Sequence, residues 1–130
     1  MAFYLDTSAA VKLVVSEAGS TAMSRWAGEH TGEVVSSDLL RTELLRVTRR
    51  GAPEQMPRAR AVLDSITLLN VPAETFERAA ELEPLLLRSL DAIHLAAALE
   101  LGDELDGIVT YDDRLSDAAG LLGVAAISPS

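Results

Sequence analysis

Residues 2–8 read Ala-Phe-Tyr-Leu-Asp-Thr-Ser: four apolar residues without a break, then an acid and two hydroxyl residues. An uninterrupted apolar run of this length is the pattern of a strand covered on both faces, as in a parallel sheet. Thr7 or Ser8 is suited to cap a helix that follows to about Ser16, and Gly19 breaks it. Asp6 therefore stands at the boundary of a buried element, where an isolated charge is expensive unless it finds a partner.

The same alternation of strand and helix continues outward from this stretch. A second helix is expected over Ser20–Gly28, a strand at Glu33–Ser36 and a helix from Ser37 to Arg50, ended by Gly51 and Pro53. Glu54–Asp64 reads as helix and Ile66–Val71 as strand, and Pro72 opens a further helix at its favoured first position. Ser89–Leu101 is helical, Gly107–Thr110 a strand, Asp113–Leu122 a helix and Val124–Ile127 a last short strand. No repeat or linker interrupts the order, so residues 1–130 are expected to form one domain. The fold class expected is α/β, a three-layer α/β/α sandwich with a central parallel sheet.

Four acids recur in this grammar: Asp6, Glu43 in R-T-E-L-L, Asp91 in S-L-D-A-I-H, and Asp112 in V-T-Y-D-D. In open parallel sheets ligands bind beyond the carboxyl ends of the strands. Asp6 and Asp112 lie just past strands, and Asp91 lies in the first turn of a helix that begins at the same edge. Glu43 is six residues into its helix, roughly 9 Å along the axis. It reaches the rim only because helical side chains lean back toward the N-terminus.

Converging carboxylates disfavour joint ionisation. A hard divalent cation, magnesium or manganese, relieves this by taking one or two carboxylates while keeping water and substrate oxygens. Such an ion suits phosphodiester hydrolysis. Asp6 and Asp112 are then the direct ligands, Asp91 and Glu43 complete the site, and Thr7, Ser8 and Thr110 orient carboxylates or ligand water.

Composition narrows the alternatives. The chain has 130 residues with no cysteine, which excludes disulfides and thiolate metal sites. The N-terminus lacks the basic and long apolar regions of a signal peptide, and no apolar stretch is long enough for a membrane span, so a cytoplasmic protein without a membrane partner is expected. A net charge of −9 opposes general phosphate binding. Ten of the eleven basic residues are arginine, however, and a bound cation reverses the local field. The single lysine, Lys12, is too early in the chain for phosphoaspartate chemistry, which takes a lysine from late in the sheet. No phosphate-binding loop or nucleophile elbow is present.

Each acid also has a plain structural reading. Asp6 and Asp112 sit at helix-cap positions, Asp91 complements a helix dipole, and Glu43 has Arg46 one turn away as an ion-pair partner. His94, one turn after Asp91, could serve as a ligand or general base, but its apolar neighbours favour reading it as a packed histidine. The arginines on the Glu43 helix read as a solvated face, with Arg41 and Arg46 as alternative RNA contacts. Arg114 is better placed to touch a phosphate. Only convergence on one edge favours a metal site.

Taken together, D-T-S after the first strand, the mid-chain Glu, L-R-S-L-D-A-I-H-L-A-A-A and I-V-T-Y-D-D-R-L-S-D-A-A resemble the PIN domain, and more narrowly the VapC toxins of toxin–antitoxin pairs. The resemblance covers essentially the whole chain. It implies a magnesium- or manganese-dependent endoribonuclease cutting structured tRNA or rRNA, with Asp6, Glu43, Asp91 and Asp112 as its acids and Asp113 as an adjacent helper. It also implies a homodimer and a VapB-like antitoxin, whose tail would dock near apolar Val11, Leu13, Val14 and Val15. The alternative is a PIN-like module that binds RNA or protein without cutting.

Overall fold

The computed structural model describes residues 1–130 and contains five strands: β1 (Ala2–Leu5), β2 (Val34–Ser37), β3 (Thr67–Leu69), β4 (Leu105–Val109) and β5 (Ala126–Ile127). They form one sheet in the order β3-β2-β1-β4-β5. Every neighbouring pair is parallel.

The connecting helices are α1 (Thr7–Val14), α2 (Ser20–Glu29), α3 (Leu39–Gly51), α4 (Met56–Ser65), α5 (Ala73–Glu81), α6 (Ser89–Leu99) and α7 (Asp113–Leu121). From β1 the chain steps outward to β2 and β3, then returns to the far side of β1. With right-handed crossovers, this reversal places α1–α4 on one face and α5–α7 on the other. The two cores follow suit. Leu5, Ala10, Leu40, Leu44, Leu63 and Val109 pack on the first face. Tyr4, Leu95, Ile108, Leu115 and Ala119 pack on the second. The expected three-layer α/β/α sandwich is what forms.

Local boundaries differ from expectation for identifiable reasons. The N-cap of α1 is Asp6 itself, not Thr7 or Ser8, because its extended backbone lets the carboxylate accept from Ser8 N. Pro72 stands at the cap of α5, one residue outside the helix. The stretch beginning at Glu54 opens as a short 3₁₀ turn, Pro53–Gln55, and becomes α-helical only from Met56. At the far edge, Gly107 is needed for close approach. A Cβ there would lie 2.8 Å from Ile127 Cδ1 and 3.0 Å from the Ala125 carbonyl, so a side chain would push β5 away.

Val11, Leu13, Val14 and Val15 are turned into the first core rather than left as a free apolar face: Val14 is buried and the other three pack against it partly buried. No helix is long and apolar enough to cross a membrane.

Candidate metal centre at the sheet switch point

The strand order reverses at β1, so the crevice beyond the carboxyl ends of β1 and β4 is the switch point of the sheet, where open α/β folds bind ligands. The register places the site's first pair there. Leu5 is aligned with Val109, and Asp6 N continues the ladder by donating to the Val109 carbonyl at 3.0 Å. Asp6 and Thr110 are therefore side by side one residue past the strands. The Thr110 hydroxyl donates to Asp6 Oδ2 at 2.8 Å and accepts from Asp112 N at 3.0 Å. Ser8 Oγ makes the matching contact from α1, donating to the same Oδ2 at 2.6 Å and accepting from Tyr111 N at 2.9 Å.

Both cap readings are correct descriptions of the local structure. Asp6 caps α1. Asp112 caps α7, its Oδ1 accepting from Arg114 N and Leu115 N at 2.9 and 3.1 Å. In each case the protein uses one carboxylate oxygen: Oδ2 of Asp6 and Oδ1 of Asp112. Glu43 repeats the pattern, with Oε1 accepting from Thr7 Oγ1 at 2.6 Å and facing His94 Nε2 at 2.5 Å. Glu43 is thus tied to α1 and α6, not to Arg46. It is the fifth residue of α3, nearer the rim than a helix starting at Ser37 would place it.

Asp91 lies in the first turn of α6. Its carboxyl is held above the ordinary range, first by burial and then by the charges of Asp112 and Asp6; Glu43 adds a smaller repulsion that His94 opposes. Asp112, Asp6 and Glu43 therefore all lie within electrostatic reach of Asp91. Glu43 goes the other way. Burial pushes it up, but hydrogen bonds from His94 and Thr7, with the charge of His94, outweigh burial and hold it below its usual value.

The donor set is all oxygen, with one uncommitted oxygen on each of three carboxylates and no hydrogen bond among the influences on Asp91. The side chains do not by themselves gather into a set of three that would wrap an ion. Magnesium suits such a place, since it takes few carboxylates and keeps water and substrate oxygens.

Of the other predicted residues, Asp113 and Arg114 are exposed at the start of α7, and Arg41 is paired with Asp38 at 3.0 Å. Arg46 joins Arg49 and Arg50 around one shallow surface depression. Lys12 is held by Glu17 and the Ala18 carbonyl, with its ammonium 4.6 Å from the centre of the Tyr111 ring. From the sequence, His94 reads as a packed histidine, with a ligand or general base as the less favoured alternative. It is packed, at 1% exposure, yet both ring nitrogens face polar side chains of the site and its support. Its place three residues after Asp91, on the same helical stripe, was the available signal.

A parallel sheet with acids at its switch point is the arrangement of the PIN domain, and the chain belongs to that family, whose model matches residues 3–121. Among curated proteins it is similar to Ribonuclease VapC46 of Mycobacterium tuberculosis, 43% identical over 129 residues, covering 99% of this chain and 98% of the relative. Ribonuclease VapC47 of the same species is 42% identical over 130 residues, covering 97% and 96%. Among solved structures, the fold matches M. tuberculosis VapC20, described as a sarcin–ricin loop cleaving toxin. That match has a TM-score of 0.75 at 18% identity and covers 90% of this chain and 95% of the other. The family resemblance read from the four motifs is borne out.

Proposed function

We propose that this chain is a divalent-metal-dependent endoribonuclease, the toxin of a VapC-type toxin–antitoxin pair. The observation that carries the reading is the divided use of the carboxylates. Asp6, Glu43 and Asp112 each anchor one oxygen to the protein and leave the other uncommitted, and the charges of all three act on Asp91. A module that only binds RNA gains nothing from such mutual repulsion. Relatives 42–43% identical over nearly the whole chain are named ribonucleases.

In this reading Asp6 and Asp112 hold magnesium or manganese, with Asp91 and Glu43 completing the site through water or at a second ion. A bound ion would supply an activated water and stabilise the leaving oxygen. The protein's own part is orientation. Ser8 and Thr110 fix Asp6, Thr7 fixes Glu43, and helix capping fixes Asp112. Asp113 remains an adjacent acid that faces solvent. RNA cleavage by the purified protein with magnesium, manganese or EDTA tests the reading; cutting undiminished in EDTA would overturn it.

We place the RNA backbone along α3. Arg46 and Arg50 follow Glu43 by three and seven residues and so extend its stripe along the helix, with Arg49 beside them. Arg41 is engaged by Asp38 and contributes less, while Arg114 stands by Asp112 at the other side of the site. Replacing Arg46, Arg49 and Arg50 with Gln is expected to weaken RNA binding and to lower the slope of log affinity against log salt by about 0.7 per lost phosphate contact. An unchanged slope on an uncleaved RNA would remove them from the interface.

The chain is proposed to act as a homodimer and to be held by an antitoxin with a basic tail, which a net charge of −9 suits. Leu85 and Leu86 are 83% and 93% exposed, and Leu85 lines one apolar depression with half-exposed Phe76. Such a patch on a small domain marks an interface. We assign it to a second copy, so Leu86→Asp should convert a dimer to a monomer in sedimentation measurements. A variant that sediments like wild type would place the dimer contact elsewhere.

A further inference from the structure

His94 sits in the middle of α6 at 1% exposure, and nothing in the proposed chemistry uses it. Its ring joins three elements. Nε2 faces Glu43 Oε1 on α3 and lies 4.0 Å from Asp6 Oδ1. Nδ1 is 2.7 Å from Tyr4 Oη on β1. Tyr4 in turn donates to Ser37 Oγ at the end of β2, at 2.8 Å. The Tyr4 and His94 rings meet edge to face, their centres 5.6 Å apart. Tyr4 is fully buried, so the far end of this chain cannot slacken into water.

Counting protons fixes the direction of the link. Glu43 Oε1 already accepts from Thr7 Oγ1 at 2.6 Å, and a carboxylate oxygen only accepts. The proton between it and Nε2 therefore belongs to the ring. A phenol has one proton. When Tyr4 donates it to Ser37, Nδ1 donates to Tyr4; when Tyr4 donates to Nδ1, Ser37 donates to Tyr4. In both arrangements Nε2–H points at Glu43.

We propose that His94 is a positioning residue: backed by Tyr4 and Ser37, it pins one oxygen of Glu43 so that the other is presented to the divalent cation. This rests on the reading of Glu43 as part of the metal site. Glutamate is long and loses much side-chain freedom when fixed, and Glu43 has to reach the rim from several residues inside its helix. A clamp at the carboxylate removes that freedom before the ion arrives. Thr7 supplies the second point of the clamp from α1, at 2.6 Å. An ordinary packed histidine would have no reason to direct one nitrogen at a site carboxylate and brace the other through a buried phenol.

The experiment measures manganese binding by calorimetry without RNA, and RNA cleavage in parallel, for wild type, His94→Leu, His94→Gln, Tyr4→Phe, Glu43→Gln and the double variant His94→Leu/Glu43→Gln. His94→Leu is expected to weaken manganese binding about 10–100-fold, the usual effect of removing a residue that orients a ligand. It should lower kcat while leaving KM for RNA near wild type. His94→Gln, whose amide N–H reaches the place of Nε2, recovers most of the loss, and Tyr4→Phe falls between. The double variant is no worse than Glu43→Gln alone, because the clamp has nothing left to hold. Additive losses in the double variant, or wild-type manganese binding by His94→Leu, would reduce His94 to packing. Should His94→Leu fail to fold, Tyr4→Phe decides, because it keeps the volume and removes only the brace; wild-type manganese binding there overturns the proposal. A wild-type protein that cuts no RNA but shows the non-additive manganese cycle supports the clamp and sinks the nuclease reading. The clamp alone falls if RNA is cut while manganese binding ignores His94.

Discussion

Asp6→Asn is expected to reduce RNA cleavage by at least about 100-fold, more than the 10–100-fold typical for residues that merely orient a ligand. The substitution removes a charge, not the scaffold. Asn keeps a side-chain oxygen for Ser8 N, Ser8 Oγ and Thr110 Oγ1, the three donors that Asp6 Oδ2 now serves. It also remains among the preferred helix-capping residues. What it loses is the anionic second oxygen that would meet the ion. Fold and activity should therefore separate. Circular dichroism and thermal melting in EDTA should stay near wild type, while single-turnover cleavage with magnesium or manganese falls away. Asp6→Ala is the instructive contrast, because removal of the cap costs about 1 kcal/mol of stability in addition to the activity. Substantial cleavage by Asp6→Asn at saturating manganese would dismiss Asp6 as a ligand.

The second large effect concerns stability with and without metal. The Asp91 carboxyl is raised, first by burial and then by Asp112 and Asp6, so the folded protein binds its proton more tightly than the unfolded chain does. By linkage, Asp91 opposes folding near pH 7. That penalty is relieved as pH falls through the raised folded value toward the unfolded value of 3.8. Glu43 has the opposite sign: its lowered value contributes stability above its unfolded 4.5 that is lost as pH falls. Asp91→Asn should thus melt higher than wild type in EDTA at pH 7, with the advantage shrinking toward pH 4. Added metal reverses the ranking. An ion at a hundredfold excess over its Kd stabilises wild type by about 2.7 kcal/mol, and the variant gains much less. Equal metal-induced shifts in both proteins, or a loss of stability in EDTA for the variant, would show that Asp91 is not held against its neighbours' charge.

Much of this was legible because the chain writes each rim position the same way. An apolar run ends, an acid or hydroxyl follows, and a helix begins. Asp6 and Asp112 each obey that order, and parallel register sets Asp6 beside Thr110, whose hydroxyl bonds both the Asp6 carboxylate and Asp112 N. Edge strands were less legible. The stretch Ile66–Val71 narrows to Thr67–Leu69, because a strand with one neighbour keeps only the residues that neighbour reaches. The supports of Glu43 were not legible at all. Thr7 lies 36 residues away and His94 lies 51, and nothing local to R-T-E-L-L indicates either. Burial of His94 was predictable from its apolar flanks, but the direction of its nitrogens depends on where β1 and α3 come to rest.

The order of the strands also sets a schedule for synthesis. The first strand made, β1, occupies the middle of the sheet and is closed on one side by β4, which begins at Leu105. The contact between Asp6 and Thr110 spans 104 residues. A growing chain that stops before Leu105 already carries Asp6, Glu43 and Asp91, yet it has neither Thr110 to aim Asp6 nor Asp112 to face it. Long-range closure of this kind comes late and slowly in folding. On the proposed assignment the acidic site is therefore complete only once the chain has been made through Asp112, so a product that stops short of β4 would lack it.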